Sequence, residues 1–162
     1  MNQPSAGPTL PQVPPGEGSS ASGLVRPLVL IAEDEEPQAE IVVFVVSEAG
    51  YTPLVAPNGR QALALARDSR PALLITDLMM PYLDGSELIA ALRADAAAGG
   101  ASVPPIVLMT AASMAAARAA GADVVLRKPF HLVDLEALLR RFLGPPPAAT
   151  GGDMRVGPEQ AR

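Results

Sequence analysis

The sequence predicts a doubly wound α/β domain in which five parallel strands carry helices on both faces. Three observations support that fold class. Five short apolar runs alternate strictly with five segments of helical period. The runs are apolar throughout rather than at every second residue, which marks strands buried on both faces and hence a parallel sheet. Acidic or polar residues follow most of the runs, at the edge where such sheets collect the groups that meet a ligand.

The first strand is "LVLIA" (28–32), stopped by Glu33, Asp34 and Glu35. "EPQAEIVVFVVSEAG" (36–50) reads as a helix, with Pro37 in its first turn and Gly50 as its stop. "TPLVA" (52–56) is the second strand, and Asn58 is placed to cap the helix "GRQALALARDS". "ALLIT" (72–76) is the third strand and ends at Asp77. Asp84 can cap "GSELIAALRADAAA", after which "PIVLM" (105–109) forms the fourth strand and ends at Thr110. A short Ala-rich helix (112–120), the strand "DVVL" and the helix "LVDLEALLRRFL" complete the series.

Composition narrows the function. Apolar residues make up 49 % of the 162 and aromatic residues 3 %, so the core is built from Ala, Leu, Val and Ile. A formal net charge of −5 argues against a basic face for nucleic acid, so no direct nucleic-acid partner is expected. The absence of cysteine excludes disulfides, thiolate metal sites and cysteine nucleophiles. No apolar run approaches the roughly 18 residues of a membrane span, and the N-terminus lacks the pattern of a signal peptide. A cytoplasmic protein with no membrane partner is therefore expected. Ten of the eighteen prolines lie in residues 1–27 and 144–162. Such composition predicts disordered tails at both ends and a compact core over 28–143. The 19 residues after 143 are too few and too rich in Pro and Gly for a further domain to be expected there.

The residues just past the strands form a set. Glu33, Asp34 and Glu35 follow the first, Asp77 the third, Thr110 the fourth, and Lys128 with Pro129 the fifth. Each has a plainer role when taken alone: Asp77 as a turn former, the acidic run as a complement to a helix dipole, Thr110 as a strand end. Lys128 could be a solvated surface group, and His131 a helix-start residue. Together they place carboxylates, a hydroxyl and an ammonium at one sheet edge. Adjacent carboxylates repel, and a hard divalent cation such as Mg2+ resolves that conflict while leaving room for a phosphoryl oxygen. The edge reads as a metal-assisted phosphoryl site. A dinucleotide-binding domain would need a Gly-rich loop where "AEDEEP" stands. A haloacid-dehalogenase-like phosphatase usually carries a second Asp where Met79 stands.

The segments "LVLIAEDEEP", "ALLITDLMMPYLDGSEL", "PIVLMTA" and "VLRKPF" resemble the receiver domain of two-component response regulators, over essentially all of residues 28–143. The resemblance implies a flavodoxin-like sheet of order 2-1-3-4-5. It also implies that Asp77 is the phosphoacceptor, and that Mg2+ is held by Asp34 directly, Glu33 through water, Asp77 and the Met79 backbone carbonyl. Thr110 would be the switch hydroxyl and Lys128 the partner of the phosphoryl group. A lysine suits that role because its ammonium is compact and mobile where an arginine fork is broad and planar, and Lys128 is the only lysine in the chain. The implied donor is a sensor histidine kinase or a histidine phosphotransfer protein. A protein target of unknown identity would lie downstream. The implied protein is a stand-alone response regulator rather than an enzyme with turnover. The alternative is a pseudo-receiver that binds its partner without phosphate.

The chain departs from the family pattern between Thr110 and Lys128. Val125 stands where receivers usually carry the aromatic half of a switch, and the interval is shorter than usual by roughly one helical turn. Met79 and Ala112 occupy positions that in the family influence loss of the phosphoryl group. Neither side chain can orient a water through a hydrogen bond, so slow self-dephosphorylation is expected.

Overall fold

Leu- and Val-rich runs with few polar side chains are stable only when both faces are covered, and the computed structural model shows how this chain covers them. The structure describes residues 25–146. The expectations for residues 1–24 and 147–162 of the two tails lie outside the described residues. In chain order the elements are β1 (Leu28–Ala32), α1 (Glu36–Glu48), β2 (Thr52–Ala56), α2 (Gly59–Ser69) and β3 (Leu73–Asp77). There follow α3 (Gly85–Ala97), β4 (Ile106–Thr110), α4 (Met114–Ala119), β5 (Val124–Arg127) and α5 (Leu132–Leu143). All strand pairs are parallel and the sheet order is β2-β1-β3-β4-β5.

Period-two alternation along each strand divides the core into two layers. Val29, Ile31, Leu73, Ile75, Val107, Met109 and Leu126 pack against Val42, Val45 and Val46 of α1 and Leu135 and Leu139 of α5. The intervening Leu30, Ala32, Leu74, Ile106 and Leu108 pack against Ala62 and Ala66 of α2, Leu88, Ile89 and Leu92 of α3, and Ala117 of α4. Burying each Leu, Ile or Val contributes roughly 1.5–3 kcal/mol, and most of these side chains are completely inaccessible.

Helix boundaries follow their caps. Asn58 Oδ1 accepts from Gln61 N at 2.9 Å, as its position predicts. Asp84 Oδ1 accepts from Glu87 N at 2.8 Å while Glu87 Oε2 accepts from Asp84 N at 2.9 Å, a reciprocal capping box. α1 ends at Glu48, two residues before the predicted stop, because Gly50 leaves the helix with φ +87°. α4 is the six-residue Met114–Ala119 rather than 112–120. The Ala112 N–H is already taken by Thr110 Oγ1 at 2.9 Å, and Ser113 caps the helix through Ala116 N. The last three strands run one residue further than their apolar runs, so Asp77, Thr110 and Arg127 are themselves strand residues.

Candidate phosphoryl-acceptor site

The sheet order reverses direction at β1 and β3, and the crevice beyond their C-terminal ends is where a ligand fits. Register then fixes which residues meet. Ala32 pairs with Thr76, so Glu33 and Asp77 follow side by side. Asp77 pairs with Met109, and Thr110 with Arg127, which brings Thr110 and Lys128 to the same edge. Lys128 N donates to Thr110 O at 2.9 Å, and Glu33 N donates to Ala56 O at 3.1 Å, so both are anchored through the backbone.

Glu33, Asp34 and Asp77 offer carboxylate oxygens that all lie within 4.8 Å of one another. Glu33 is buried, Asp77 half-buried and Asp34 exposed. Three hard oxygen donors converging at the rim of a crevice fit Mg2+ in chemistry and in access from solvent. The Met79 side chain is 69 % exposed and points away from the core, whereas Met80 is buried in it.

Charge balance at the site is set by Lys128. Its Nζ donates to Glu33 Oε2 at 2.9 Å and to Gln38 Oε1 at 2.5 Å, and lies 3.4 Å from Asp77 Oδ2. Burial pushes the Glu33 carboxyl above its ordinary value, against the Lys128 hydrogen bond and the Glu35 N–H, which pull it down. Asp77 Oδ1 accepts from Leu78 N at 2.7 Å. That bond leaves Oδ2, on the lysine side, as the less committed oxygen. Thr110 is buried and its Oγ1 accepts from Ala112 N, which leaves its hydroxyl proton for another acceptor.

The structure therefore brings Glu33, Asp34, Asp77, Thr110 and Lys128 to one edge. Val125 sits lower on β5, half-buried against the helix α2–α4 layer, and His131 is exposed at the start of α5, its N–H donating to Asp134 Oδ2 at 3.3 Å. Sequence reasoning missed Gln38. Its signal was its place in the first turn of the helix that follows the acidic run, where a side chain can reach back over the strand ends. It also missed the apolar depression beside Lys128, lined by Ile41, Val42, Met109, Phe130 and Leu132.

Among the described residues no helix is long and apolar enough to cross a membrane. Comparison with known proteins gives one family: residues 29–140 match the model of the response regulator receiver domain. The transcriptional regulatory protein TcrA of Mycobacterium tuberculosis is 31 % identical over 156 residues, 91 % of this chain and 60 % of that protein. The DNA-binding response regulator MtrA of the same species is 33 % identical over 123 residues, 74 % of this chain and 51 % of that protein. The chain thus spans between half and about 60 % of the curated relatives it matches. Among solved structures, the Vibrio cholerae chemotaxis protein CheY4 has a TM-score of 0.64 at 30 % identity, covering 73 % of this chain and 99 % of its own. The receiver domain of the Pseudomonas aeruginosa sensor histidine kinase PA1611, solved with a magnesium ion coordinated in its active-site cleft, has a TM-score of 0.66 at 26 % identity, covering 74 % and 98 %. Receiver domains are signalling domains rather than classical enzymes. On the family match, which spans most of its length, and on the fold it shares with these neighbours, this chain belongs to the receiver domains of two-component response regulators.

Proposed function

We propose that the domain over 28–143 accepts a phosphoryl group on Asp77 from a phosphohistidine of a sensor histidine kinase or a histidine phosphotransfer protein, and signals by phosphorylation-dependent partner binding or onward relay. The observation that carries this reading is the convergence of three carboxylates with one ammonium at the switch point of the sheet. Asp77 Oδ2 attacks phosphorus, the P–N bond breaks, and its electron pair stays on the departing imidazole nitrogen. The Leu78 N–H holds Oδ1 and so fixes the plane of the carboxylate for that attack. Glu33, Asp34 and Asp77, with the Met79 backbone carbonyl, would hold Mg2+. Bound there, the cation would supply positive charge that offsets repulsion between carboxylate and phosphoryl oxygens. Lys128 lends its ammonium to one phosphoryl oxygen and the Thr110 hydroxyl donates to another. The apolar depression of Ile41, Phe130 and Leu132 beside Lys128 gives the donor protein a dry surface next to the acceptor.

Val125 and the six-residue α4 favour a second reading, a pseudo-receiver that binds its partner without phosphate. Binding of BeF3−, a phosphoryl mimic, separates the two. The phosphoacceptor reading expects saturable BeF3− binding that needs Mg2+ and is lost in Asp77→Asn. No binding to the wild type would leave the pseudo-receiver.

A further inference from the structure

We propose that Gln38 is a positioning residue that holds the Lys128 ammonium out of hydrogen-bond geometry with Asp77 in the unphosphorylated protein. The inference rests on the reading of Asp77 as phosphoacceptor. An ammonium has three N–H donors. Two of those on Lys128 are committed, to Glu33 Oε2 at 2.9 Å and to Gln38 Oε1 at 2.5 Å. Its contact with Asp77 Oδ2, at 3.4 Å, is an ion pair without a hydrogen bond.

Gln38 is itself oriented. Its Nε2 donates to Glu35 Oε2, and Glu35 N donates to Glu33 Oε1 at 3.2 Å. The four residues close a ring: Glu33 to Lys128, to Gln38, to Glu35 and back to Glu33. Opposite charges at the two ends of the amide fix its direction. A flipped amide would present NH2 to an ammonium and a carbonyl to a carboxylate, so the oxygen must face Lys128. Asp77 stands outside this ring. A phosphoryl group arriving on Asp77 needs the ammonium to turn, and of the two partners Lys128 holds, the neutral amide is the weaker to leave. Gln38 thus sets how readily the lysine is released.

Lys128 is the only lysine in the chain, so protein labelled with 15N- or 13C-lysine gives one side-chain resonance that needs no assignment. Four metal-free proteins are compared: wild type, Asp77→Asn, Gln38→Met and the double variant. Gln38→Met keeps length and helix preference while removing both polar ends. The expected result is that Gln38→Met moves the lysine signal, and that Asp77→Asn moves it at least about twofold further in the Gln38→Met background than in the wild type. With acetyl phosphate and Mg2+, Gln38→Met takes up phosphate roughly three- to tenfold faster than wild type. Gln38→Asn, whose amide is one methylene too short, repeats both effects if Gln38→Met fails to fold. A lysine signal left in place by both variants overturns this hold on Lys128. A moved signal with an unchanged rate overturns its role in positioning. Absence of phosphate uptake by the wild type, with the lysine signals behaving as expected, counts against the phosphoacceptor reading and leaves the hold on Lys128 standing.

Discussion

Gly85 stands so close to Asp77 that a side chain fits only if the backbone shifts: a Cβ on Gly85 would lie 2.2 Å from the Asp77 carbonyl oxygen. Gly85 N also donates to Leu78 O at 2.8 Å, so the start of α3 is tied to the residue after the acceptor. Both contacts are to backbone, which cannot turn aside as a side-chain tip can. Gly85→Ala is expected to cost about 2–3 kcal/mol in chemical denaturation. It should also slow phosphate uptake by displacing Asp77; wild-type stability in that variant would refute the close approach.

Asp84 caps the same helix. Burial tends to raise its carboxyl, but the Glu87 N–H and the Ser86 hydroxyl and N–H together hold it below its ordinary value of 3.8. A depressed carboxyl stabilises the fold above the ordinary value and loses that contribution as pH falls through the lowered one. Asp84→Ala should therefore cost about 1 kcal/mol near neutrality. The difference between the two proteins should shrink in acid; a difference independent of pH would show that the cap does not act through its charge.

Lys128→Met leaves the Glu33 side chain, which is inaccessible to solvent, without its cation. Burial already holds the Glu33 carboxyl above 4.5, and losing the Lys128 hydrogen bond removes the strongest opposing influence. A raised carboxyl destabilises the charged form, so stability is lost as pH climbs from the ordinary value to the raised one. The expected cost of Lys128→Met in metal-free buffer is about 3 kcal/mol at pH 7 and smaller near pH 4.5. Equal costs at the two pH values would contradict the pairing.

Neither Met79, largely exposed at the rim, nor Ala112, whose N–H is held by Thr110, offers a side chain that can orient water. Once formed, the phosphorylated protein should lose phosphate slowly. Met79→Asn, which adds a donor and an acceptor at the rim, should shorten the lifetime severalfold. An unchanged lifetime, followed by loss of radiolabel, would mean that this position does not face the group.

Alternation of apolar runs with helical periods is sufficient to read the sheet, because β1, β3 and β4 are buried on both faces and carry few polar residues. The ends of β3, β4 and β5 lie one residue beyond their apolar runs. Asp77, Thr110 and Arg127 belong to their strands through backbone pairing, which hydropathy does not report. Glu33, Asp34, Asp77, Thr110 and Lys128 are legible as a set because each ends or follows a strand at the same edge. Gln38 was not, since its contact with Lys128 depends on the angle at which α1 leaves β1. Tyr51 escaped notice for a similar reason: it is buried, and its hydroxyl donates to Gly144 O across 93 residues. Tyr82 holds φ +68° in the loop before α3, a conformation that no residue type in that loop announces.

Phosphate uptake from acetyl phosphate tests the role of Asp77 as acceptor most directly. Intact-mass spectrometry of the wild type with Mg2+ should show one added phosphoryl group, stable to acid and released by hydroxylamine as an acyl phosphate is. Asp77→Asn should show none. Equal uptake by Asp77→Asn, or an adduct that resists hydroxylamine, would remove Asp77 from the acceptor role.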